Sequence, residues 1–350
     1  MSHPESEADA IAVAERIVEA ARKPVRLGDK IVSVGASIGI SFCPQDGVDS
    51  ETLQMKADMA MYESKQGGRG QWRVFKAEMV GRSKDRISLS AQIEAALTND
   101  EFVLFYQPIV NSASGDVERV EALIRWPRPG LSEPMLPDQF IRHAEATGLI
   151  KKIDRWVLER ACRDATGWLK CEGSELSVCV NLSAISMQQV DMARIIADIL
   201  ERTKLPPRLL NLEITETAVI ADPYATRRVL DEIVSLGVGM SLDDFGTGYS
   251  SLSYLTRFPI NCIKLDCAFV DRIGKDKASE EVIRSLLELA GKLNLRVVAE
   301  GVEQQAQQDF LSGVGCDLMQ GHHFVRPMAG AALRDWLAAH EQARIAVAAL

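Results

Sequence analysis

The sequence lacks several features that would assign a protein to a class at once. Its seven cysteines are scattered and never form a Cys-x-x-Cys pair, so neither a disulfide framework nor a zinc site is expected. No apolar run approaches the length of a membrane span, and the polar, acidic first ten residues do not form a signal peptide. Basic residues are not in excess, and the net charge of -9 argues against a broad contact with duplex nucleic acid. We therefore expect a cytoplasmic protein with reduced thiols, although a parent protein could carry a membrane anchor upstream.

The composition is that of an ordinary globular protein, with 47% hydrophobic and 25% charged residues. A chain of 350 residues is long enough for two domains, or for one large barrel with an appendage. A small phosphorylated ligand remains compatible with the acidic charge, because a local site or a metal ion can invert the overall sign.

From residue 101 onward, short β-rich runs alternate with helical patterns. Eight such runs occur, at 102–110, 117–126, 176–184, 209–217, 238–246, 261–269, 296–302 and 316–324. Eight strands with intervening helices over about 250 residues are typical of a (β/α)8 barrel. Only residues 111–116 separate the first two runs, which is too short for a crossover helix. The sequence therefore predicts an α/β fold, a TIM-like barrel whose first strand is antiparallel.

Each predicted strand carries a polar residue between apolar ones. Because strand side chains alternate between faces, inward positions can be chosen by parity; they carry Gln107, Glu121, Asn181, Glu213, Lys264 with Asp266, Glu300 and Gln320, while Asp243 with Asp244 ends the fifth run. Such a ring cannot be buried in a barrel core without partners, so we expect it at the mouth, where barrel enzymes place their chemistry. Oxygen ligands without histidine or cysteine favour Mg²⁺ or Mn²⁺.

The pair Asp243-Asp244 ends the fifth predicted strand. Adjacent carboxylates repel each other, which suggests a bound cation. In a regular strand the two side chains would point to opposite faces, so both reach one site only where the strand ends and the chain turns. Gly246 and Gly248 would permit that turn. Taken alone, the stretch is equally compatible with a helix N-cap and a flexible turn.

The polar ring falls within motifs that resemble those of the EAL domain, the family of cyclic di-GMP phosphodiesterases. The signature Glu121-Ala122-Leu123 is one of several motifs in the expected order; the others are Tyr106-Gln107-Pro108, Val180 to Ser183, Glu213 to Glu216, Asp243 to Ser251, Ile263 to Asp266, Ala299 to Glu303 and Gln320-Gly321. The resemblance covers about residues 85–340.

The resemblance implies roles for individual residues. Six side chains would bind two Mg²⁺ or Mn²⁺ ions: Glu121, Asn181, Glu213, Asp243, Asp244 and Glu300. The metals would orient a hydroxide that attacks one phosphodiester bond and leaves linear pGpG. Lys264 would contact the attacking water or a phosphate oxygen, and Glu300 is a candidate general base. Substrate would be held by Gln107, Leu123, Arg125, Asp266, Glu303 and Gln320.

Two further positions concern loops near this site. Glu216 cannot share the face of Glu213, and we expect it to fix the loop from Phe245 to Ser251 and so to be needed for turnover. His322 follows Gln320-Gly321 where the family usually has Tyr or Phe. We interpret it as a variant residue beside the site rather than as a metal ligand.

The first 75 residues resemble the C-terminal half of a GGDEF (diguanylate cyclase) domain. The residues concerned are Ser37 to Ile40, Ala57 to Tyr62, Lys65 and Gly68 to Gly70, while the Gly-Gly-Asp/Glu-Glu-Phe signature occurs nowhere in the sequence. No cyclase activity is therefore expected. The domains predicted are a partial GGDEF-like segment at 1–78, a linker helix at 79–100 and the barrel at 101–350.

Other functions remain open at this point. A catalytically silent cyclic di-GMP receptor would typically lack metal ligands, and an enolase-type barrel would need a Lys or His base opposite its metal carboxylates. The resemblance also implies a homodimer, because family members commonly pair through the region after the fifth strand.

Overall fold

The computed structural model describes residues 6–23, 25–27, 30–32, 35–66, 70–172, 176–216, 218, 223–246 and 257–348. These residues divide into two compact units, 1–93 and 94–350. Among them, no helix is both long and apolar enough to cross a bilayer. The six cysteines that the structure describes are free thiols.

The described residues of the first unit form three helices and four short strands. In chain order they are α1 (Glu7–Arg22), β1 (Val25–Leu27), β2 (Lys30–Val32), β3 (Ile38–Ile40), α2 (Ser50–Gln66), β4 (Trp72–Val74) and α3 (Glu78–Thr98), whose end belongs to the second unit. Strands β3 and β4 pair in parallel, and β1 pairs with β2 antiparallel. Helix α2 packs directly on β3, because Gly39 has no Cβ: one placed there would lie 1.9 Å from the carbonyl oxygen of Ala57.

The second unit is a closed barrel of eight strands. They are β5 (Val103–Asn111), β6 (Val117–Arg125), β7 (Ser177–Asn181), β8 (Leu210–Thr215), β9 (Gly239–Phe245), β10 (Cys262–Leu265), β11 (Arg296–Ala299) and β12 (Leu318–Met319). Strand β5 pairs antiparallel with both β6 and β12, which closes the barrel, and the remaining neighbours pair in parallel. The predicted barrel with an antiparallel first strand is confirmed.

Helices surround the strands of this barrel. They are α4 (Ile141–Thr147), α5 (Ile150–Glu172), α6 (Ala184–Met187), α7 (Met192–Thr203), α8 (Pro223–Ser235), α9 (Cys267–Val270), α10 (Lys277–Lys292), α11 (Gln305–Gly313) and α12 (Gly330–Ala348). Short 3-10 helices lie at Pro137–Gln139 and Pro207–Leu209, and a further strand, β13 (Met328–Ala329), adds to β5. The sixth predicted run, 261–269, ends as a strand at Leu265, since the Asp266 carboxylate accepts a hydrogen bond from Ala268 N–H and begins α9.

The interior of the barrel is layered by strand alternation. One layer is apolar and fully buried, and consists of Ile109, Cys179, Cys262, Val298 and Leu318. Each of these residues lies two positions from a residue of the predicted polar ring, so that both point to the barrel axis at successive levels. The polar ring therefore lies above a buried layer that is apolar on these five strands and carries the hydrogen-bonded Asn211 and Ser241 on β8 and β9.

Candidate active site

Polar residues on or directly after five strands converge at the barrel mouth. Glu121 lies in the middle of β6, Glu213 and Asp243 lie near the ends of β8 and β9, Lys264 lies near the end of β10, and Glu300 follows β11. The cavity measures about 290 Å³ and is lined by Gln107, Glu121, Leu123, Asp243, Lys264, Cys267, Glu300, Gly301, Glu303, Gln320, Gly321 and His322. Parallel strands with their carboxyl ends at one face produce this convergence.

Lys264 is the centre of this constellation. Its side chain is 1% exposed, and its ammonium Nζ lies near four carboxylates: 2.6 Å from Glu300, 2.7 Å from Glu213, 3.4 Å from Glu121 and 3.5 Å from Asp243. Burial by itself would lower the pKa of Lys264, but these carboxylates raise it well above its ordinary value. The lysine is therefore charged.

The carboxylates around Lys264 carry more negative charge than one ammonium can neutralise. Burial raises the pKa of Glu213 to about 8, against the attraction of Lys264 and with the repulsion of Glu121 and Asp243. Burial likewise raises the pKa of Glu300 to about 7. A second positive charge in the cavity would favour the ionised form of both groups.

Glu121 is held by two amide groups, one at the end of β7 and one directly after β12. Asn181 Nδ2 donates to its Oε1 at 2.7 Å, and Gln320 Nε2 donates to its Oε2 at 2.7 Å. Burial would raise the pKa of Glu121, but Lys264 and the two amides lower it below its usual value. Its carboxylate is thus fixed and ionised.

The two glutamines predicted to hold substrate line the cavity and are largely buried. Gln320 Nε2 also donates to Gln107 Oε1 at 3.1 Å, and Gln107 Nε2 donates to the carbonyl oxygen of Val325 at 3.2 Å. Gln320 Oε1 is buried and accepts no hydrogen bond from any residue that the structure describes. That oxygen is an acceptor ready for a donor or a cation.

A β-bulge orients the aspartate pair. Leu242 lies opposite Ile263 and Phe245 opposite Leu265, so Asp243 and Asp244 together face the single residue Lys264 of β10. Asp244 has a left-handed backbone, with φ of 54°. Burial, Asp243 and Asp266 raise the pKa of Asp244, which places its carboxyl near the same acidic group. The sequence predicts that both carboxylates reach one site at the strand end; in the structure the bulge lies within β9, where Asp243 lines the cavity and Asp244 is exposed.

The other predicted substrate residues are distributed around the mouth. Leu123 and Glu303 line the cavity, and His322 Nδ1 lies 3.8 Å from Glu303 Oε1 at its rim. Arg125 is not among the lining residues: its Nη1 donates to the Ile124 carbonyl, and its guanidinium lies over the Phe105 ring. Asp266 caps helix α9 with its carboxylate.

Glu216 is buried directly after β8 and is 6% exposed. Of the loop that it is predicted to hold, Phe245 to Ser251, residues 247–251 lie outside the described residues, so its role stays a prediction. The sequence also predicts a helix at 250–257, which falls almost entirely outside the described residues.

The sequence reasoning did not single out three residues that line the cavity: Cys267, Gly301 and Gly321. Both glycines lie next to residues of the ring, Glu300 and Gln320, and that adjacency is the signal by which they could have been found. The central position of Lys264 was not predicted either, since strand parity places it inside the barrel without naming its partners.

The donor set of this cavity fits a hard divalent cation in its chemistry. The atoms that could bind a cation are all oxygens: those of the carboxylates and the amide oxygens of Asn181 and Gln320. Among the described residues, however, no three acidic, histidine or cysteine side chains are arranged to coordinate one ion as they lie. The carboxylates are instead drawn to the Lys264 ammonium, with which a cation would compete.

Comparisons with known proteins agree with this geometry. The EAL domain model matches residues 90–327, and the model of the diguanylate cyclase GGDEF domain matches residues 1–71. The bifunctional diguanylate cyclase/cyclic di-GMP phosphodiesterase MucR of Pseudomonas aeruginosa is 39% identical over 323 residues, which are 92% of this chain and 47% of that protein. The cyclic di-GMP phosphodiesterase PdeR of Escherichia coli K12 is 38% identical over 327 residues, 93% of this chain and 49% of PdeR. The chain thus spans about half the length of these relatives.

A solved structure shares the barrel. The PaMucR phosphodiesterase in complex with c-di-GMP is 39% identical and superposes with a TM-score of 0.67, covering 70% of this chain and 99% of that one.

Proposed function

Because the chain belongs to the EAL domain family, we propose that it is a phosphodiesterase that hydrolyses cyclic di-GMP to linear pGpG and so lowers this second messenger in bacterial signalling. The observation that carries the proposal is the convergence of four carboxylates on buried Lys264 in an open cavity at the barrel mouth. The c-di-GMP complex of a relative with the same barrel supports the substrate.

The proposed cofactors are two Mg²⁺ or Mn²⁺ ions, held by Glu121, Asn181, Glu213, Asp243, Asp244 and Glu300. The excess negative charge around Lys264 and the bulge at the adjacent residues Asp243 and Asp244 both support this set. When bound, such ions supply positive charge that activates a water and neutralises the phosphodiester.

The protein's own groups would orient substrate and move protons. Glu300, with its pKa raised to about 7 by burial, is suited to take up a proton from water near neutral pH. The Lys264 ammonium would donate to a phosphate oxygen as negative charge develops there. Asp244 and Glu216 are proposed as further catalytic-site residues, and substrate contacts are assigned to Gln107, Leu123, Arg125, Asp266, Glu303 and Gln320.

The silent receptor that the sequence leaves open is not favoured, since every proposed ligand is present in the sequence. For the whole chain we propose a partial GGDEF-like segment at 1–78 without cyclase activity, a linker helix at 79–100, the barrel at 101–350, and association as a homodimer.

Hydrolysis can be tested with purified protein, cyclic di-GMP and Mg²⁺ or Mn²⁺, with the products separated by chromatography. We expect pGpG with either ion, little turnover with Ca²⁺ because of its larger and less exact coordination, and none in excess chelator. Asp243→Asn should abolish turnover, whereas Asp276→Asn, at an exposed helix cap, should not. Full turnover in chelator would contradict the metal requirement, and intact substrate under all conditions would contradict the function.

A further inference from the structure

Asp154 is a buried carboxylate that neither the sequence pattern nor the proposed mechanism uses. It lies on helix α5 and is 5% exposed. One of its oxygens, Oδ2, accepts both donors of Ser183: the backbone N–H at 3.1 Å and the hydroxyl at 2.6 Å. A buried charge that accepts two hydrogen bonds from one residue fixes that residue in position and orientation.

Ser183 lies where β7 leaves the barrel and α6 begins. Its hydroxyl accepts the N–H of Ser186 and caps α6. Leu182, just before it, donates its N–H to the carbonyl oxygen of Glu213 at 2.8 Å. The chain after Asn181 is thus anchored on one side to β8 and on the other to Asp154.

Asn181 itself lies at an exposed position, yet its amide holds Glu121 at 2.7 Å. Its orientation therefore depends on the backbone that follows it. We propose that Asp154 is a positioning residue for the candidate active site, which fixes the exit of β7 through Ser183 and thereby directs the Asn181 carboxamide at Glu121.

Stability alone does not account for a carboxylate at this position. Burial raises the pKa of Asp154 to about 6, so its charged form opposes folding at neutral pH. Removal of a group that orients a metal-binding side chain typically lowers activity or metal affinity by about 10–100-fold.

The first test is hydrogen–deuterium exchange of the full chain, read at residues 178–187, without ligand. In Asp154→Ala we expect faster exchange there, and in Asp154→Asn near-normal exchange, because its Oδ1 can still accept from Ser183. The control is Asp164→Ala, which removes a carboxylate from the same helix that accepts the Tyr106 hydroxyl. Unchanged exchange at 178–187 in Asp154→Ala, or equal acceleration in the control, would overturn the proposal. If Asp154→Ala does not fold, Ser183→Ala replaces it.

The second test is kinetic and rests on the proposed function. Asp154→Ala should lower kcat by about 10-fold or more, with most of the rate recovered in Asp154→Asn. Asn181→Ala and the double variant complete a double-mutant cycle. In the Asn181→Ala background, Asp154→Ala should lower kcat only slightly. Equal losses in both backgrounds would mean that Asp154 does not act through Asn181. If the wild-type chain shows no turnover at all, the proposed function fails, while the exchange experiment still decides the positioning role.

Discussion

At the scale of single residues, Lys264 determines the electrostatics of the cavity. An ammonium that is 1% exposed can be tolerated only because four carboxylates surround it, and they in turn depend on it. Sequence parity predicts that Glu121, Glu213, Asp243 and Lys264 share the barrel interior, but it does not give distances between side chains. The hydrogen bond between Ser183 and Asp154 was beyond prediction for another reason: the two residues are 29 positions apart, and no motif joins them.

Lys264→Met should destabilise the metal-free protein by about 3–5 kcal/mol, because it leaves a cluster of buried carboxylates without their cation. Urea unfolding in chelator at pH 7 measures this loss. Mn²⁺ should raise the unfolding free energy of the variant more than that of the wild type, since the ion would replace the missing charge.

The matched control is Lys292→Met, which removes an exposed lysine paired with Glu288. It should change stability by less than about 1 kcal/mol. Similar stability losses in the two variants would mean that Lys264 does not compensate the carboxylates as described.

Asp154→Asn should gain stability over the wild type as the pH rises from about 4 to about 6. The pKa of Asp154 is about 6 in the folded protein against the ordinary 3.8, so the unfolded chain releases this proton first. Well below pH 4 Asp154 is protonated in both the folded and the unfolded state, and the wild type loses no stability; well above pH 6 its loss relative to the variant is constant, on the order of 3 kcal/mol. Urea unfolding across pH 3.5 to 7 would detect it.

The stability of Asp276→Asn relative to the wild type should change with pH in the opposite direction. The Ser279 hydroxyl and the Ala278 N–H hold the pKa of Asp276 below its usual value, so the wild type gains stability as the pH rises. A parallel pH dependence for the two variants would contradict the burial effect at Asp154.

At the scale of elements, the predicted strands were found, and their lengths were the less predictable part. The seventh and eighth runs, predicted at 296–302 and 316–324, form strands only at Arg296–Ala299 and Leu318–Met319. Beyond these points the two segments of the chain are still joined by backbone hydrogen bonds. Val302 N–H donates to Gln320 O at 3.0 Å, and His323 N–H donates to Val302 O at 2.9 Å. Such pairing of loops depends on tertiary contact and leaves no periodic signal.

Gly321→Ala should disrupt these backbone hydrogen bonds between the two segments. A Cβ on Gly321 would lie 2.0 Å from the carbonyl oxygen of Val302, and backbone must move to relieve the overlap. Because Gln320 and Glu303 lie on the displaced segments, we expect a loss of about 1–3 kcal/mol in stability and a larger proportional loss in kcat. Thermal unfolding and steady-state kinetics measure the two effects.

Gly313→Ala is the comparison, since nothing lies within 4 Å of a Cβ at that position in helix α11. There alanine should be neutral or stabilising by about 0.5–1 kcal/mol. If Gly321→Ala behaved like Gly313→Ala, the contact between the two loops would not constrain the site.

At the scale of the whole molecule, the barrel could be predicted because the alternation of β-rich runs and helices extends along the whole of residues 101–350. Eight β-rich runs, a hairpin too short for a crossover and one polar group per strand are each visible in the sequence, and together they determine which face holds the site. The linkage of that site to its surroundings could not be predicted, since Val325 contacts Gln107, and Asp154 contacts Ser183, through the fold alone.

Removal of residues 1–75 should leave cyclic di-GMP hydrolysis intact. The cavity is lined entirely by residues from Gln107 to His322, and the strands that carry them close a barrel within the unit 94–350. The cut precedes helix α3, which begins at Glu78, so that helix remains whole. The truncated and full chains should show kcat within about twofold of each other, because no proposed ligand is lost. Neither should form cyclic dinucleotide from GTP, as the Gly-Gly-Asp/Glu-Glu-Phe signature is absent. Steady-state kinetics with circular dichroism would decide it: a truncated chain that is folded but inactive would show that the first segment contributes to catalysis.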